Sequence, residues 1–330
     1  MTVSPDSAVA ADVTERRPDF FIVGHPKSGT TALYEMLRRH PEIYMPDLKE
    51  PGFLAPDMRP RFQPPRSPPL PTTLAGYLAL FAAAGADQLA GEATSSYLLS
   101  LQAAHCIARL HPEARIIAVL REPASFLHSL HLQLLRVHIE SKGDLAEAMR
   151  LEPARLAGRE IPRRCPQPQM LAYSQHVRYV DQLSRYRAAF PPEQMLVLIY
   201  DEFRRDNEAT VRAVRRFLGV EERRPVQVVD ANPTTVRMRS QHLDELLNRV
   251  SVGRGPVSRS VKSGVKLLTS RGVRQSAIGT VQRRVVNGSL RQPDAELMLG
   301  LRRRFKGEVV ALSDYLGRDL VAEWGYDRIT

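Results

Sequence analysis

Residues 20–31 read FFIVGHPKSGTT, and this stretch decides the fold of the chain. The apolar run from Phe20 to Val23 predicts a buried strand, and the small residues from Gly24 to Gly29 predict a tight turn. From Thr30 onward the apolar residues recur at helical spacing, which predicts a helix. The loop therefore lies at a helix N-terminus, where free backbone N–H groups and the helix dipole favour a phosphate or sulfate group.

The position of the lysine in this loop separates two kinds of phosphate chemistry. A P-loop nucleotidase reads G-x-x-x-x-G-K-[ST], with the lysine directly after the second glycine and a hydroxyl that binds magnesium. Here Gly24 and Gly29 keep the glycine spacing, but Thr30 replaces that lysine and Lys27 lies inside the loop. We therefore predict a P-loop-like cradle without a metal ion, and a small-molecule kinase stays as the alternative. Its side-chain donors are the ammonium of Lys27 and the hydroxyls of Ser28, Thr30 and Thr31.

Four segments follow the patterns of one enzyme family. In chain order they are PKSGTT at 26–31, KEPGFL at 49–54, RIIAVLREP at 115–123 and MLVLIYDEF at 195–203. Ser129 follows Arg121 by eight positions, and FLG occupies 217–219. Over residues 18–325 this combination resembles the sulfotransferases that use 3′-phosphoadenosine-5′-phosphosulfate (PAPS), in particular a bacterial branch similar to the heparan-type enzymes. The resemblance implies PAPS as the sulfuryl donor.

The resemblance also implies a role for individual side chains. Lys27 matches the lysine that stabilises the bridging oxygen of the donor, where negative charge develops as the sulfur–oxygen bond breaks. Arg121 and Ser129 match the pair that holds the 3′-phosphate, the arginine as a bidentate fork. Tyr200 matches a tyrosine that contacts adenine. Glu50 matches the catalytic glutamate of the heparan-type branch and is our candidate base for the acceptor.

Two departures from the family pattern leave alternatives open. The phenol and steroid branch takes a histidine base from a K-T-H-L-P-like segment, whereas residues 92–97 read EATSSY here. Histidine is the commonest general base, so His25 in the donor loop stays the alternative to Glu50. The R-K-G element that assists the 3′-phosphate near the C-terminus is absent in that form. Its candidate replacements are Arg237, Arg239 and the cluster Arg302–Arg304.

Alternating strand and helix patterns predict an α/β fold: a P-loop-like, doubly wound parallel sheet with helices on both faces. The predicted strands are residues 20–23, 116–120 and 195–200, with a shorter candidate near 89–92. Ligands of such sheets bind at the carboxyl ends of the strands. We therefore expect the Lys27 loop, Glu92 and Arg121 on one rim of the sheet.

The domain organisation is predicted as a disordered tail at 1–17 followed by one sulfotransferase domain at 18–330, with loop and helical elaborations. Residues 55–75 are rich in proline and predict an extended flap. Residues 240–290 are rich in glycine, serine and arginine, and we expect them to form a basic variable cap over the acceptor site. Both segments are equally consistent with passive surface loops. A closing helix is predicted from Asp294 to Arg318.

Composition fits a cytoplasmic enzyme. The 330 residues, 43% hydrophobic and 25% charged, suffice for one α/β domain with elaborations. No apolar run approaches the roughly 20 residues that span a bilayer, and residues 2–14 are polar, unlike a secretory signal. Cys106 and Cys165 give neither a disulfide framework nor metal-ligand spacing. We expect no stable membrane insertion, and the sequence leaves the oligomeric state open.

The net charge of +11 has two interpretations. A basic chain can bind nucleic acid through phosphate contacts, or it can concentrate a small anionic ligand in a cleft. Residues 237–291 hold many of the arginines but no Phe, Tyr or Trp, and readers of single strands and RNA stack bases on aromatic side chains. We therefore expect no nucleic-acid partner. We expect the acceptor to be a small molecule or a glycan, and the sequence leaves glycan, lipid, phenol and specialised metabolite open.

Overall fold

A computed structural model describes residues 16–62, 69–221 and 294–329, positions 225, 226 and 228, and the backbone of 237–238 and 287–288. Most of the predicted tail at 1–17 therefore lies outside the described residues. The same holds for residues 63–68 of the predicted flap and for the predicted cap at 240–290, apart from the backbone of 287 and 288. The side chains of Arg237 and Arg239 also lie outside them.

The core of the protein is a parallel sheet of five strands. The strands are β1 (Phe20–Gly24), β2 (Ile43–Tyr44), β3 (Leu89–Ala93), β4 (Arg115–Leu120) and β5 (Met195–Ile199). Their spatial order is β2-β3-β1-β4-β5, so β1 lies in the centre between β3 and β4. All four strands predicted from the sequence are confirmed. The fifth, β2, has only two residues and carries no periodicity from which it could be predicted.

Helices fill the connections between the strands. In chain order they are α1 (Thr30–Leu37), α2 (Leu74–Leu78), α3 (Ala103–Leu110), α4 (Pro123–Arg136), α5 (Leu145–Arg150), α6 (Glu152–Leu156), α7 (Tyr179–Arg187), α8 (Tyr200–Arg205), α9 (Asn207–Leu218), α10 (Ala295–Leu316) and α11 (Leu320–Glu323). The predicted closing helix is confirmed as α10, which begins where the Asp294 carboxylate caps the N–H of Glu296. A cap of this kind satisfies an N–H group that has no partner within the helix.

The sheet is covered on both faces, as a doubly wound fold requires. Along β1, Phe21 and Val23 point to one core while Phe20 and Ile22 point to the other, because successive side chains of a strand alternate. Helices α3, α4, α7 and α10 pack on the first face, and α1 and α9 pack on the second. Parallel strands that are buried on both faces form continuous apolar runs in the sequence. The predicted doubly wound architecture is confirmed, because the sheet is parallel and has helices on both faces.

A second, two-stranded antiparallel sheet pairs β6 (Arg237–Met238) with β7 (Asn287–Gly288). The backbone of β6 lies beside α4. Across the described part of the chain, no helix has both the length and the apolar character needed to cross a bilayer.

Candidate active site

Two glycines shape the loop between β1 and α1. A Cβ atom on Gly24 would lie 2.8 Å from the backbone oxygen of Val119 in β4. Gly29 has a φ of +86°, and a Cβ there would lie 3.1 Å from the rings of Tyr200 and Phe203. A side chain at Gly24 would displace the backbone of β4, and one at Gly29 would press on the two rings and be strained by the positive φ. The glycines therefore hold the loop close to the carboxyl ends of β4 and β5.

The N-terminus of α1 offers free hydrogen-bond donors. Gly29 is its N-cap residue and has no side chain, and Leu33 makes the first amide hydrogen bond back to Gly29, at 3.1 Å. The N–H groups of the first turn, Thr30 to Ala32, therefore point out of the helix end without an intrahelical acceptor. The Ser28 hydroxyl beside them is fully buried and has no hydrogen-bond partner among the described residues. Together these groups form an anion site.

Lys27 lies in this loop in a strained conformation. Its φ of +69° places a non-glycine residue in the left-handed region, which proteins tolerate chiefly at functional sites. Partial burial lowers the pKa of Lys27, and the positive charges of Arg136 and Arg121 lower it further. Three cations thus act on one another around the loop. An anion bound there would relieve this mutual repulsion, so the electrostatics fit a phosphate or sulfate ligand.

Arg121 joins the loop to the end of β4. Its Nη1 donates to the backbone oxygen of Lys27 at 2.8 Å, and its Nε donates to Ser125 Oγ at 3.2 Å. Its guanidinium lies over the ring of Tyr200, 4.7 Å from the centroid. The structure therefore brings together three residues predicted from the sequence, namely Lys27, Arg121 and Tyr200. Ser129 is buried one turn further along α4 than Ser125.

Arg136 is a cation that the sequence reasoning missed. It is the last residue of α4 and lies seven positions after Ser129, which places both on one side of that helix. Its side chain is exposed and makes no ion pair with the described residues. The signal that could have found it was the i, i+7 spacing from Ser129.

Glu50 lines a cavity that it shares with His25 and Pro26 of the loop. Like Lys27 it has a positive φ, +60°. The Lys49 ammonium donates to Glu50 Oε1 at 2.6 Å, and the Ser95 hydroxyl donates to the same oxygen at 3.1 Å. The side chain is half exposed, while the Glu50 amide bonds to the oxygen of Ala93 at the end of β3. This oriented, solvent-accessible carboxylate is suited to accept a proton.

Glu92 lies at the expected end of β3, but its side chain is fully buried in the core instead of facing the rim. Its carboxyl group accepts hydrogen bonds from the hydroxyls of Tyr77, Thr94 (2.5 Å) and Tyr97 (3.1 Å). Burial raises the pKa of Glu92 to about 7, although the three hydroxyl donors pull in the opposite direction. Glu92 therefore lies on the expected rim by its position in β3, but its carboxyl group is buried.

The hydroxyls bound to Glu92 hold the segment that carries Glu50. Thr94 Oγ1 accepts from the Gly52 amide at 3.3 Å, and the Tyr97 hydroxyl accepts from the Leu54 amide at 3.0 Å. The ring of Phe53 stacks on Tyr77, with centroids 4.9 Å apart. Glu92 thus acts through these contacts as a buried anchor for residues 50–54. The sequence EATSSY contained the acid and its hydroxyls, but not the partners that they bind.

His25, the alternative base, is buried and held in one tautomer. Gln182 Nε2 donates to the backbone oxygens of Gln175 (2.8 Å) and His176 (3.3 Å), which turns Gln182 Oε1 toward His25. His25 Nε2 must then donate to that oxygen, at 2.8 Å, so that Nδ1 carries the lone pair. Burial lowers the pKa of His25 to about 3, with a smaller contribution from His176. His25 is therefore a neutral and weak base.

A cavity of about 500 Å³ opens beside Glu50 and His25. Its walls come from four parts of the chain: residues 25–26, 50–60 with 70–72, 95–99, and 166–176. Several of these residues belong to the proline-rich segment at 55–75. The predicted flap thus borders the space in front of the candidate base.

The arginines at 302–304 are candidates for the missing R-K-G element. Arg302 lies 3.4 Å from Glu122 Oε1 and over the ring of Tyr326, whose hydroxyl donates to the same carboxylate at 2.5 Å. Glu122 in turn caps the N-terminus of α4. Arg302 therefore helps to fix the C-terminal segment against the residue next to Arg121. Among the described residues, no group of three or more His, Cys, Asp or Glu side chains is placed to hold a metal ion.

A family model described as "Sulfotransferase family" matches residues 18–224. The match covers more than half of the chain, so the chain belongs to the sulfotransferase family. This result confirms the predicted resemblance at the level of the sulfotransferase family, and it does not favour the kinase alternative.

Curated sulfotransferases are similar to this chain, and a solved structure has the same fold. The human bifunctional heparan sulfate N-deacetylase/N-sulfotransferase 2 is 29% identical over 215 residues, which are 62% of this chain and 22% of that protein. Human carbohydrate sulfotransferase 15 is 53% identical over 36 residues, 11% of this chain and 6% of that protein. This chain therefore matches only about a fifth of the heparan sulfate relative. A sulfotransferase from Alicyclobacillus acidocaldarius has the same fold, with a TM-score of 0.65 at 24% identity, covering 93% of this chain and 98% of that one.

Proposed function

We propose that this protein transfers a sulfuryl group from PAPS to an acceptor hydroxyl. The observation that carries the proposal is the anion site at the start of α1, with free backbone donors, the buried Ser28 hydroxyl and three cations around one loop. Lys27 lies inside the loop, where its ammonium group interacts with a sulfuryl donor that binds without a metal ion. The absence of a lysine after Gly29 argues against a magnesium nucleotide.

The donor would be held by residues on both sides of the loop. Residues 28–31 would bind the 5′-phosphosulfate through their amides and hydroxyls, and Tyr200 would contact the adenine. Arg121 and Ser129 would bind the 3′-phosphate. PAPS, when bound, supplies the sulfuryl group: the bond from sulfur to the bridging oxygen breaks, that oxygen keeps the electron pair, and the acceptor oxygen forms the new bond.

The two catalytic residues would act at opposite ends of this transfer. Lys27 holds a positive charge and a proton at the loop, where it stabilises charge that develops in the transition state. Glu50 removes the proton of the acceptor hydroxyl, and Lys49 and Ser95 orient its carboxylate for that step. His25 carries a lone pair on Nδ1, but this atom is buried and the lowered pKa makes the ring a weak base.

The partners and location follow the same reasoning. We propose a cytoplasmic enzyme that acts on a small-molecule or glycan acceptor and has no nucleic-acid partner. The net charge of +11 supports the binding of an anionic ligand. The anion site at the start of α1 supports a small anion as that ligand more than a nucleic-acid duplex.

Thermal unfolding with added nucleotides tests the proposal. Adenosine 3′,5′-bisphosphate (PAP), the product of the donor, should raise the melting temperature more than ATP with magnesium, because a ligand that binds only the folded state stabilises it. Arg121→Ala should reduce the shift. Arg109→Ala is the matched control, since Arg109 is an exposed arginine in the last turn of α3. A larger shift with ATP and magnesium would favour a kinase, and salt-dependent binding of duplex DNA would favour a nucleic-acid partner.

A further inference from the structure

The volume and the lining of the cavity beside Glu50 indicate which class of acceptor it can bind. Its volume of about 500 Å³ lies within the range typical of sites for small molecules. Glu50 and Ser95 are hydrogen-bonded to each other and both line it. A hydroxyl group inside the cavity therefore has a route to the candidate base.

The walls of this cavity are mainly apolar. They include the side chains of Phe53, Leu70, Leu99 and Met170, and five prolines contribute further apolar surface. These residues come from the segment that follows Glu50, from the proline-rich segment, and from the two segments that face them. Such walls gain free energy when they remove an apolar surface from water.

The charges around the cavity do not match a polyanion. Arg59 is the only cationic residue among those that line it in the described part of the chain. Glu50 contributes a negative charge, which the neighbouring Lys49 ammonium offsets in part. His25 and His176 also line it, but burial lowers the pKa of both, to about 3 and about 4. Recognition of several sulfates or carboxylates favours clustered arginines or lysines. The cavity provides one such group.

We propose that the acceptor is a small hydroxylated molecule with an apolar body, and that it binds in this cavity with its hydroxyl directed to Glu50. The inference rests on the proposed sulfuryl transfer. It separates this chain from the heparan sulfate relatives, whose names indicate a polyanionic glycan. The apolar walls select the body of the molecule, and the single carboxylate selects the hydroxyl.

Calorimetric binding to the PAP-loaded protein tests this inference. The two probes are 2-naphthol and an unsulfated heparosan tetrasaccharide, a carboxylate-bearing glycan. We expect 2-naphthol to bind at least about tenfold more tightly than the tetrasaccharide. The variants Leu70→Asp and Met170→Asp each place a charge in the apolar wall, and each should weaken 2-naphthol binding by about tenfold or more. Two separate variants keep the test valid if one of them fails to fold.

Leu101→Asp is the matched control. Leu101 is 72% exposed and lies outside the cavity, so its replacement should leave naphthol binding unchanged. All three variants should keep the wild-type affinity for PAP. Tighter binding of the tetrasaccharide, no binding of 2-naphthol, or naphthol binding that is insensitive to both wall variants would overturn the acceptor inference while PAP still binds. Failure of the wild-type protein to bind PAP would instead overturn the proposed function.

Discussion

Replacing Glu92 by glutamine should remove a pH-dependent loss of stability. Burial raises the pKa of Glu92 to about 7 from an ordinary value of 4.5, so the folded state holds its proton at pH values where the unfolded state has released it. The stability that comes from this difference is fully present below pH 4.5 and is lost as the pH rises through 7. Glutamine keeps the size of the side chain but does not ionise. The free energy of unfolding of Glu92→Gln should therefore not decrease through this ionisation as the pH rises.

The magnitude follows from the two pKa values. Their separation corresponds to roughly 3 kcal/mol when the carboxyl is ionised in both states. Most of this stability is lost between pH 5 and pH 8. Over that range, the free energy of unfolding of the wild type should thus fall by roughly 2 to 3 kcal/mol relative to Glu92→Gln. Any fixed difference in hydrogen bonding between carboxyl and amide does not alter this slope.

Urea unfolding of both proteins at pH 5, 6, 7 and 8 measures the effect. Glu113→Gln provides the control, because Glu113 is exposed and its replacement should leave the pH dependence of the wild type unchanged. A constant difference between wild type and Glu92→Gln across this pH range would refute the reasoning. Such a result would mean that the buried carboxyl is no harder to ionise than an exposed one.

Three further predictions concern the proposed site. Lys27→Ala should lower turnover by about 100 to 1,000-fold, because it removes a donor aimed at developing charge; a normal turnover number at saturating substrates would contradict this role. Glu50→Gln should lower turnover by roughly 100 to 10,000-fold while PAP still binds, because the amide cannot accept a proton; wild-type turnover would redirect attention to His25. Arg121→Ala should weaken PAP binding by about 1.5 to 3 kcal/mol, and Ser129→Ala by less, because charge-assisted hydrogen bonds are the stronger ones. Calorimetry that finds undiminished affinity in Arg121→Ala would exclude that residue from the donor site.

The sequence was sufficient to predict the elements that form through interactions between residues close together in the chain. The strand from Phe20, the turn and helix α1 follow from an apolar run, two glycines and helical spacing, all within twenty residues. The long apolar strands could be predicted for the same reason, because burial on both faces leaves a continuous apolar run. The positions of Lys27 and Arg121 at strand ends then placed them on one edge of a parallel sheet.

Only the tertiary structure decided the environment of each side chain. Glu92 is buried against Tyr77 and Tyr97, whose hydroxyls donate to it, and the Tyr97 hydroxyl also accepts from the Leu54 amide. His25 is neutral because burial among the surrounding rings lowers its pKa. Gln182, 157 positions away, fixes its tautomer. Desolvation and orientation depend on groups that are distant in sequence, and no periodicity records which of them will meet. The sequence therefore determined the strand, loop and helix that form the anion site, whereas packing determined which acids and bases near it can exchange protons.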